Sequence, residues 1–139
     1  MFKKIKIAFI CVHNSARSQI AEALCHIHEK DSFSAQSAGT HPKESIDTKA
    51  TQVIKELYNY DMKKQQRPKA INQLKNVDIV ITMGCDPSCS TLNANHQEAW
   101  DLKDPSGKDK KSYIKLSNTI LSHIKQLKKR IEDGEIPLK

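Results

Sequence analysis

No apolar stretch in this chain approaches the roughly 18–20 residues that a membrane-spanning helix needs; the longest uninterrupted one is Ile7 to Val12. A membrane-embedded protein is thereby excluded as the reading. A secretory leader is missing as well: Met1 to Lys6 has the charge of one, but His13, Asn14 and Arg17 follow with no apolar region of about 7–15 residues and no cleavage site. The expectation is a cytoplasmic protein whose thiols stay reduced unless they react. Aromatic residues are few, 5% of the total, and they are not interleaved with the lysines that give a formal net charge of +7. Scattered lysines without aromatic partners read as solvated helix faces, so no nucleic-acid partner is expected, although a positive field helps to recruit an oxyanion. Internal repeats and domain linkers are absent too. At 139 residues the expectation is one catalytic domain, residues 1–139, with enough Val, Ile and Leu for a real core. Four cysteines in such a chain point to catalysis, redox work or metal rather than to a static disulfide framework.

What is present is an alternation of short apolar runs and helical periodicities. Lys4 to Val12 reads as a buried strand of a parallel sheet. Ser18 stands as the helix N-cap, and Ile20, Ala23, Leu24 and Ile27 recur at helical spacing. A strand over 32–37 ends near Gly39, and a helix over 47–58 follows the His41-Pro42 turn. Residues 61–70 are basic and glutamine-rich and read as an exposed connection. Further strands are expected over 77–83 and near 99–102, and a final helix over 110–131 with a lysine-rich outer face. Strands alternating with helices predict a parallel sheet covered on both faces, with ligands at the carboxyl ends of the strands. Cys11, Cys85 and Asp104 each follow a predicted strand and so belong to one edge.

The segment Cys11-Val12-His13-Asn14-Ser15-Ala16-Arg17-Ser18 is a C-x5-R sequence between a buried strand and a helix start. A bare C-x5-R is common by chance, and the strand–loop–helix context gives it weight. Five intervening residues let the backbone curl its N–H groups around a tetrahedral oxyanion, and the helix N-terminus adds positive charge. Arg17 supplies a planar fork for two oxygens. That field favours the Cys11 thiolate, a nucleophile, and Ser18 is placed to donate to it. Asn14 is a residue type that tolerates the positive φ of a tight loop. His13 reads as a loop residue, and Cys25, mid-helix, as a packed one.

The chain resembles the low-molecular-weight protein tyrosine phosphatases and, within them, the thiol-linked arsenate reductases. The resemblance rests on CVHNSARSQIAEA at 11–23, SAGTHP at 37–42, TMGC at 82–85 and WDLKDPSGK at 100–108, in order along nearly the whole chain. It implies an α/β, flavodoxin-like three-layer sandwich with a four-stranded parallel sheet and helices on both faces, a Cys11 nucleophile in the oxyanion loop, and a proton-donating Asp104 in an Asp-Pro pair. Thioredoxin, or another dithiol or thiol reductant, is the partner it implies, and a monomer is expected. Some relatives hold potassium through Asn, Glu, Ser and Asp; Asn14, Glu22 and Ser37 match three of these, but Arg67-Pro68 stands near the fourth, and no cofactor is assigned.

The remaining cysteines separate reductase from phosphatase. Cys85 and Cys89 are four apart, and in a helix or turn their Cα atoms approach the roughly 4.4–6.8 Å that a disulfide requires. A phosphatase has no use for that pair. In a reductase, Cys11 attacks arsenate, Cys85 attacks Cys11 and expels arsenite, and Cys89 carries the disulfide outward. Asp104-Pro105 is followed by Ser106 and Gly107, where phosphatases of this type place aromatic residues against a phosphotyrosine ring. Zinc held by Cys85, Cys89 and His96 lacks a fourth ligand and is set aside.

Overall fold

The computed structural model describes residues 4–84 and 93–136. Four strands, β1 (Ile5–Cys11), β2 (Phe33–Gly39), β3 (Ile79–Met83) and β4 (His96–Trp100), form one sheet in the order β2-β1-β3-β4. Every pairing is parallel. Central strand β1 alternates its side chains between two apolar clusters. Ile7, Phe9 and Cys11 face the larger one, with Ile20, Leu24, Tyr113, Ile120 and Ile124, while Ala8 and Ile10 meet Ala38, Leu74 and Val80 on the other side.

The helices are α1 (Arg17–His28), α2 (Thr48–Tyr58), α3 (Met62–Gln65) and α4 (Lys110–Glu132), with a short 3-10 turn at Ile71–Gln73. Asp47 caps α2 through Ala50 N–H (3.0 Å), and Asp109 caps α4 through Ser112 N–H (3.1 Å), each carboxylate satisfying an amide that has no intrahelical acceptor. The apolar stripe of α4, from Tyr113 through Leu116, Ile120 and Ile124 to Leu127, is buried, as its spacing of three and four requires.

The structure departs from the sequence reading in three places. Helix α1 begins one residue before Ser18, and its N-cap is Ala16, which makes no side-chain cap. Residues 61–70 are not an exposed connection: α3 lies within them, Met62 is fully buried, and buried Gln66 donates to Gln19 Oε1 (2.8 Å) and to its carbonyl (3.1 Å). The fourth strand is His96–Trp100 rather than 99–102. Its polar sequence lies at the sheet edge, where Glu98 collects Trp100 Nε1 (2.7 Å), His96 Nε2 (2.8 Å) and Arg130 Nη2 (2.7 Å). Satisfied in this way, a carboxylate is compatible with a strand that propensity alone disfavours.

Candidate active site

Cys11 ends β1 and Arg17 opens α1, so the five residues between them must reverse from strand to helix in one tight loop. Asn14 absorbs the reversal at φ 50°, the left-handed conformation expected from its residue type. Its backbone N–H donates to Cys11 Sγ at 3.2 Å. Its side chain is oriented by a contact from outside the loop. The Lys69 backbone N–H, which can only donate, reaches Asn14 Oδ1 (2.9 Å), and Nδ2 is thereby turned to donate to Ser18 Oγ (2.8 Å). Ser18 Oγ lies 2.9 Å from Cys11 Sγ, within donating distance of the sulfur.

Ser18 therefore acts inside the first turn of α1 and not as its cap. The alanine at the N-cap offers no acceptor to the first-turn amides, and an uncapped helix N-terminus is a ready site for a tetrahedral anion. Ser15 is buried, its hydroxyl donating to the Ser45 carbonyl at 3.4 Å. His13 Nδ1 sits 3.2 Å from the His41 carbonyl oxygen at the rim. The cavity over the thiol is lined by Cys11, His13, Ser15, Ala16, Arg17, Lys43, Asp104 and Ser106. Val12 and Asn14 contribute backbone to the same loop, and none of the lining residues is Phe, Tyr or Trp.

Arg17 is held from the opposite side of the sheet edge. Its Nη1 donates to the Leu102 carbonyl at 3.1 Å, and Nη2 lies 3.9 Å from Asp104 Oδ2. Gly84, at φ 71°, makes room for it: a Cβ there would stand 1.8 Å from Arg17 Nη1 and 3.0 Å from the Leu102 carbonyl oxygen. Asp104 is partly exposed. Burial pushes its carboxyl up, but the N–H (3.0 Å) and hydroxyl (2.7 Å) of Ser106, followed by the charges of Arg17 and Lys43, outweigh this and hold it below the usual aspartate range. Before an anion arrives, then, Asp104 is a carboxylate facing two cations.

Cys11 and Cys25 are both buried, yet their settings differ. Burial first, and then the Glu29 and Glu22 charges, push the Cys25 thiol far up, which makes it inert. Cys85 and Cys89 lie outside the described residues. His96, weighed above as a zinc ligand, is engaged by Glu98. Beside the loop, Ser37 Oγ donates to Glu22 Oε1 (2.6 Å); burial pushes the Glu22 carboxyl up, opposed by that hydrogen bond and then by the Lys69 and His26 charges. Of the three residues matching a potassium set, Ser37 Oγ is committed to Glu22 and Asn14 Oδ1 to the Lys69 N–H, so their hydrogen bonding is satisfied without an ion. Sequence reasoning missed Lys43, Lys69 and Gly84, because each acts through an approach between distant segments rather than through a local motif.

The chain is similar in sequence and fold to known proteins. An arsenate reductase from Staphylococcus aureus is 32% identical over 133 residues, covering 91% of this chain and 98% of its own. The crystal structure of an arsenate reductase from Archaeoglobus fulgidus superposes with a TM-score of 0.72 at 28% identity, covering 87% of this chain and 97% of that one. A thioredoxin-dependent arsenate reductase from Corynebacterium glutamicum superposes with a TM-score of 0.73 at 30% identity, covering 94% of this chain and 63% of its own. The family described as low molecular weight phosphotyrosine protein phosphatase matches residues 6–135. With the cysteine loop, the parallel sheet and this match in agreement, the chain belongs to the low molecular weight phosphotyrosine protein phosphatase family.

Proposed function

We propose that this protein is an arsenate reductase, a cytoplasmic single-domain enzyme that passes two electrons from its own thiols to arsenic. The observation that carries the reading is the oxyanion cavity, lined by Cys11 and Arg17 and, among the described residues, by no Phe, Tyr or Trp, in a chain that also has the Cys85–Cys89 pair. The names of its relatives support the same assignment.

The chemistry runs in three thiol steps. Arsenate enters the loop, where the N–H groups of residues 12–18 and the Arg17 fork hold its oxygens. Cys11 Sγ attacks arsenic, a sulfur–arsenic bond forms, and one arsenate oxygen leaves as water. Asp104 delivers the proton. Because Asp104 is ionised in the anion-free cavity, that proton arrives with the substrate, whose negative charge between Asp104 and the loop raises the carboxyl and favours its transfer. The thiolate of Cys85 then attacks Cys11 Sγ. A Cys11–Cys85 disulfide forms, the sulfur–arsenic bonding pair stays on arsenic, and arsenite departs. Finally Cys89 attacks Cys85, freeing Cys11 as a thiolate and leaving a Cys85–Cys89 disulfide for thioredoxin or another dithiol to reduce.

A phosphatase is the alternative, since it needs the same loop and acid. The two differ in their need for Cys85. Arsenite production that Cys85→Ser abolishes supports the reductase; hydrolysis of aryl phosphates as the sole turnover, undiminished in Cys85→Ser, overturns it.

A further inference from the structure

Of the residues lining the oxyanion cavity, Lys43 has no part in the scheme above, and its backbone is nonetheless firmly placed. Residues 40–47 are stitched along the oxyanion loop by four backbone hydrogen bonds. Thr40 N–H donates to the Cys11 carbonyl (3.3 Å), His41 to Val12 (2.8 Å), Lys43 to His13 (3.0 Å) and Asp47 to Ser15 (3.0 Å). Gly39 permits the approach, since a Cβ there would stand 2.6 Å from the Val12 carbonyl oxygen. The far end is anchored by buried Ile46 and by Asp47, which caps α2 and accepts the Tyr113 hydroxyl at 2.9 Å. The exposed Lys43 side chain thus starts from a fixed point on the rim.

Its charge reaches the cavity, where it acts on Asp104 alongside Arg17. Among the described residues no carboxylate lies within 4.0 Å of its ammonium, whereas Lys110 and Lys128 are paired with Glu56 and Glu29 at 2.7 and 3.0 Å. Electrostatic balance gives the unpaired ammonium a purpose. With Asp104 and the Cys11 nucleophile both ionised, Arg17 and Lys43 balance the two negative charges of the anion-free cavity. Once Asp104 takes a proton, Arg17 and Lys43 together exceed the charge of the thiolate and leave a net positive field for the incoming anion, whereas Arg17 alone would be cancelled by the thiolate.

We propose that Lys43 is a substrate-binding residue, a second cation that holds the doubly charged tetrahedral anion over Cys11 together with Arg17. As a statement about substrate it rests on the arsenate reading; as a statement about oxyanion binding it stands on the cavity alone. The test uses the reduced full chain, inorganic phosphate as the binding probe, and arsenate turnover as a second readout. Lys43→Met weakens phosphate binding and raises KM for arsenate about tenfold, with kcat held within about twofold. Lys43→Arg recovers most of the loss, and added salt narrows the gap between wild type and Lys43→Met. Phosphate affinity equal to wild type in Lys43→Met overturns the proposal, as does a loss that Lys43→Arg fails to recover. Wild type that binds phosphate in a Lys43-dependent way but forms no arsenite leaves Lys43 in its role and defeats the arsenate reading instead.

Discussion

The carboxamide of Asn14 directs the hydroxyl of Ser18 at the Cys11 sulfur. Fixed by the Lys69 backbone N–H at Oδ1, Asn14 donates through Nδ2 to Ser18 Oγ, which keeps its own hydrogen available for a Cys11 thiolate at Sγ, 2.9 Å away. A thiolate receiving that hydrogen bond is stabilised as the nucleophile and as the leaving group of the last exchange. Hydrogen bonds to charged groups contribute about 1.5–3 kcal/mol, so Ser18→Ala is expected to lower kcat/KM for arsenate by about 10–100-fold. Steady-state arsenite production measures it, and a Ser18→Ala enzyme as fast as wild type contradicts the assignment.

Gly84 controls Arg17 through space rather than through sequence. In Gly84→Ala the new methyl occupies the path of the guanidinium, and the left-handed backbone adds a cost of about 1 kcal/mol. Gly107→Ala is the matched control: its φ is 80°, but nothing lies within 4 Å of the added Cβ. Both variants are expected to melt lower, and only Gly84→Ala loses phosphate affinity, by about 100-fold. Calorimetric titration of the two variants separates conformational cost from displacement of Arg17.

Glu98 ties the edge strand to α4, and its contribution has a definite pH sign. Burial pushes its carboxyl up, but the His96 and Trp100 hydrogen bonds and then the Arg130 charge hold it below the usual glutamate range. A depressed carboxyl stabilises the fold above its unfolded pKa, near 4.3, and that stabilisation disappears as pH falls through the folded value. Glu98→Gln is therefore expected to lose about 1–3 kcal/mol at pH 7, with the deficit closing below about pH 4. Urea unfolding across that range reads the difference, and a deficit that grows on acidification contradicts the sign.

Cys25 stands apart from the thiol relay. Buried in α1 with its thiol pushed far up, it is expected to resist alkylation in the native protein, and Cys25→Ala is expected to keep arsenite production within about twofold of wild type. Peptide mapping after brief alkylation checks the first expectation. Modification of Cys25 at the rate of Cys11 contradicts it.

The β1–loop–α1 unit was legible from the sequence because an apolar run, C-x5-R spacing and helical periodicity occur in register at residues 5–28. The same segment hid its cap. A cap is recognised by a side chain that accepts, and here the N-terminus is uncapped at Ala16, with its amides left for an anion. Residues 61–70 misread as exposed because Lys and Gln dominate, although Met62 and Gln66, four apart, turn inward behind an Asp61 cap. His96–Trp100 lacks alternating apolar residues, since its central glutamate is satisfied by partners that include Arg130, 32 residues away. Lys43 and Gly84 depend on the register between distant segments, and a single sequence holds no signal for that.

The central claim, that three cysteines pass one disulfide outward from a cradled arsenic, is tested most directly by a single turnover of Cys89→Ser with arsenate and no external reductant. Removing the third thiol should stop the relay after its second step. Peptide mass spectrometry is then expected to find Cys11 bonded to Cys85 and one arsenite released per chain. A Cys89→Ser protein that keeps both thiols free after incubation with arsenate, or that releases arsenite without a Cys11–Cys85 bond, contradicts the account.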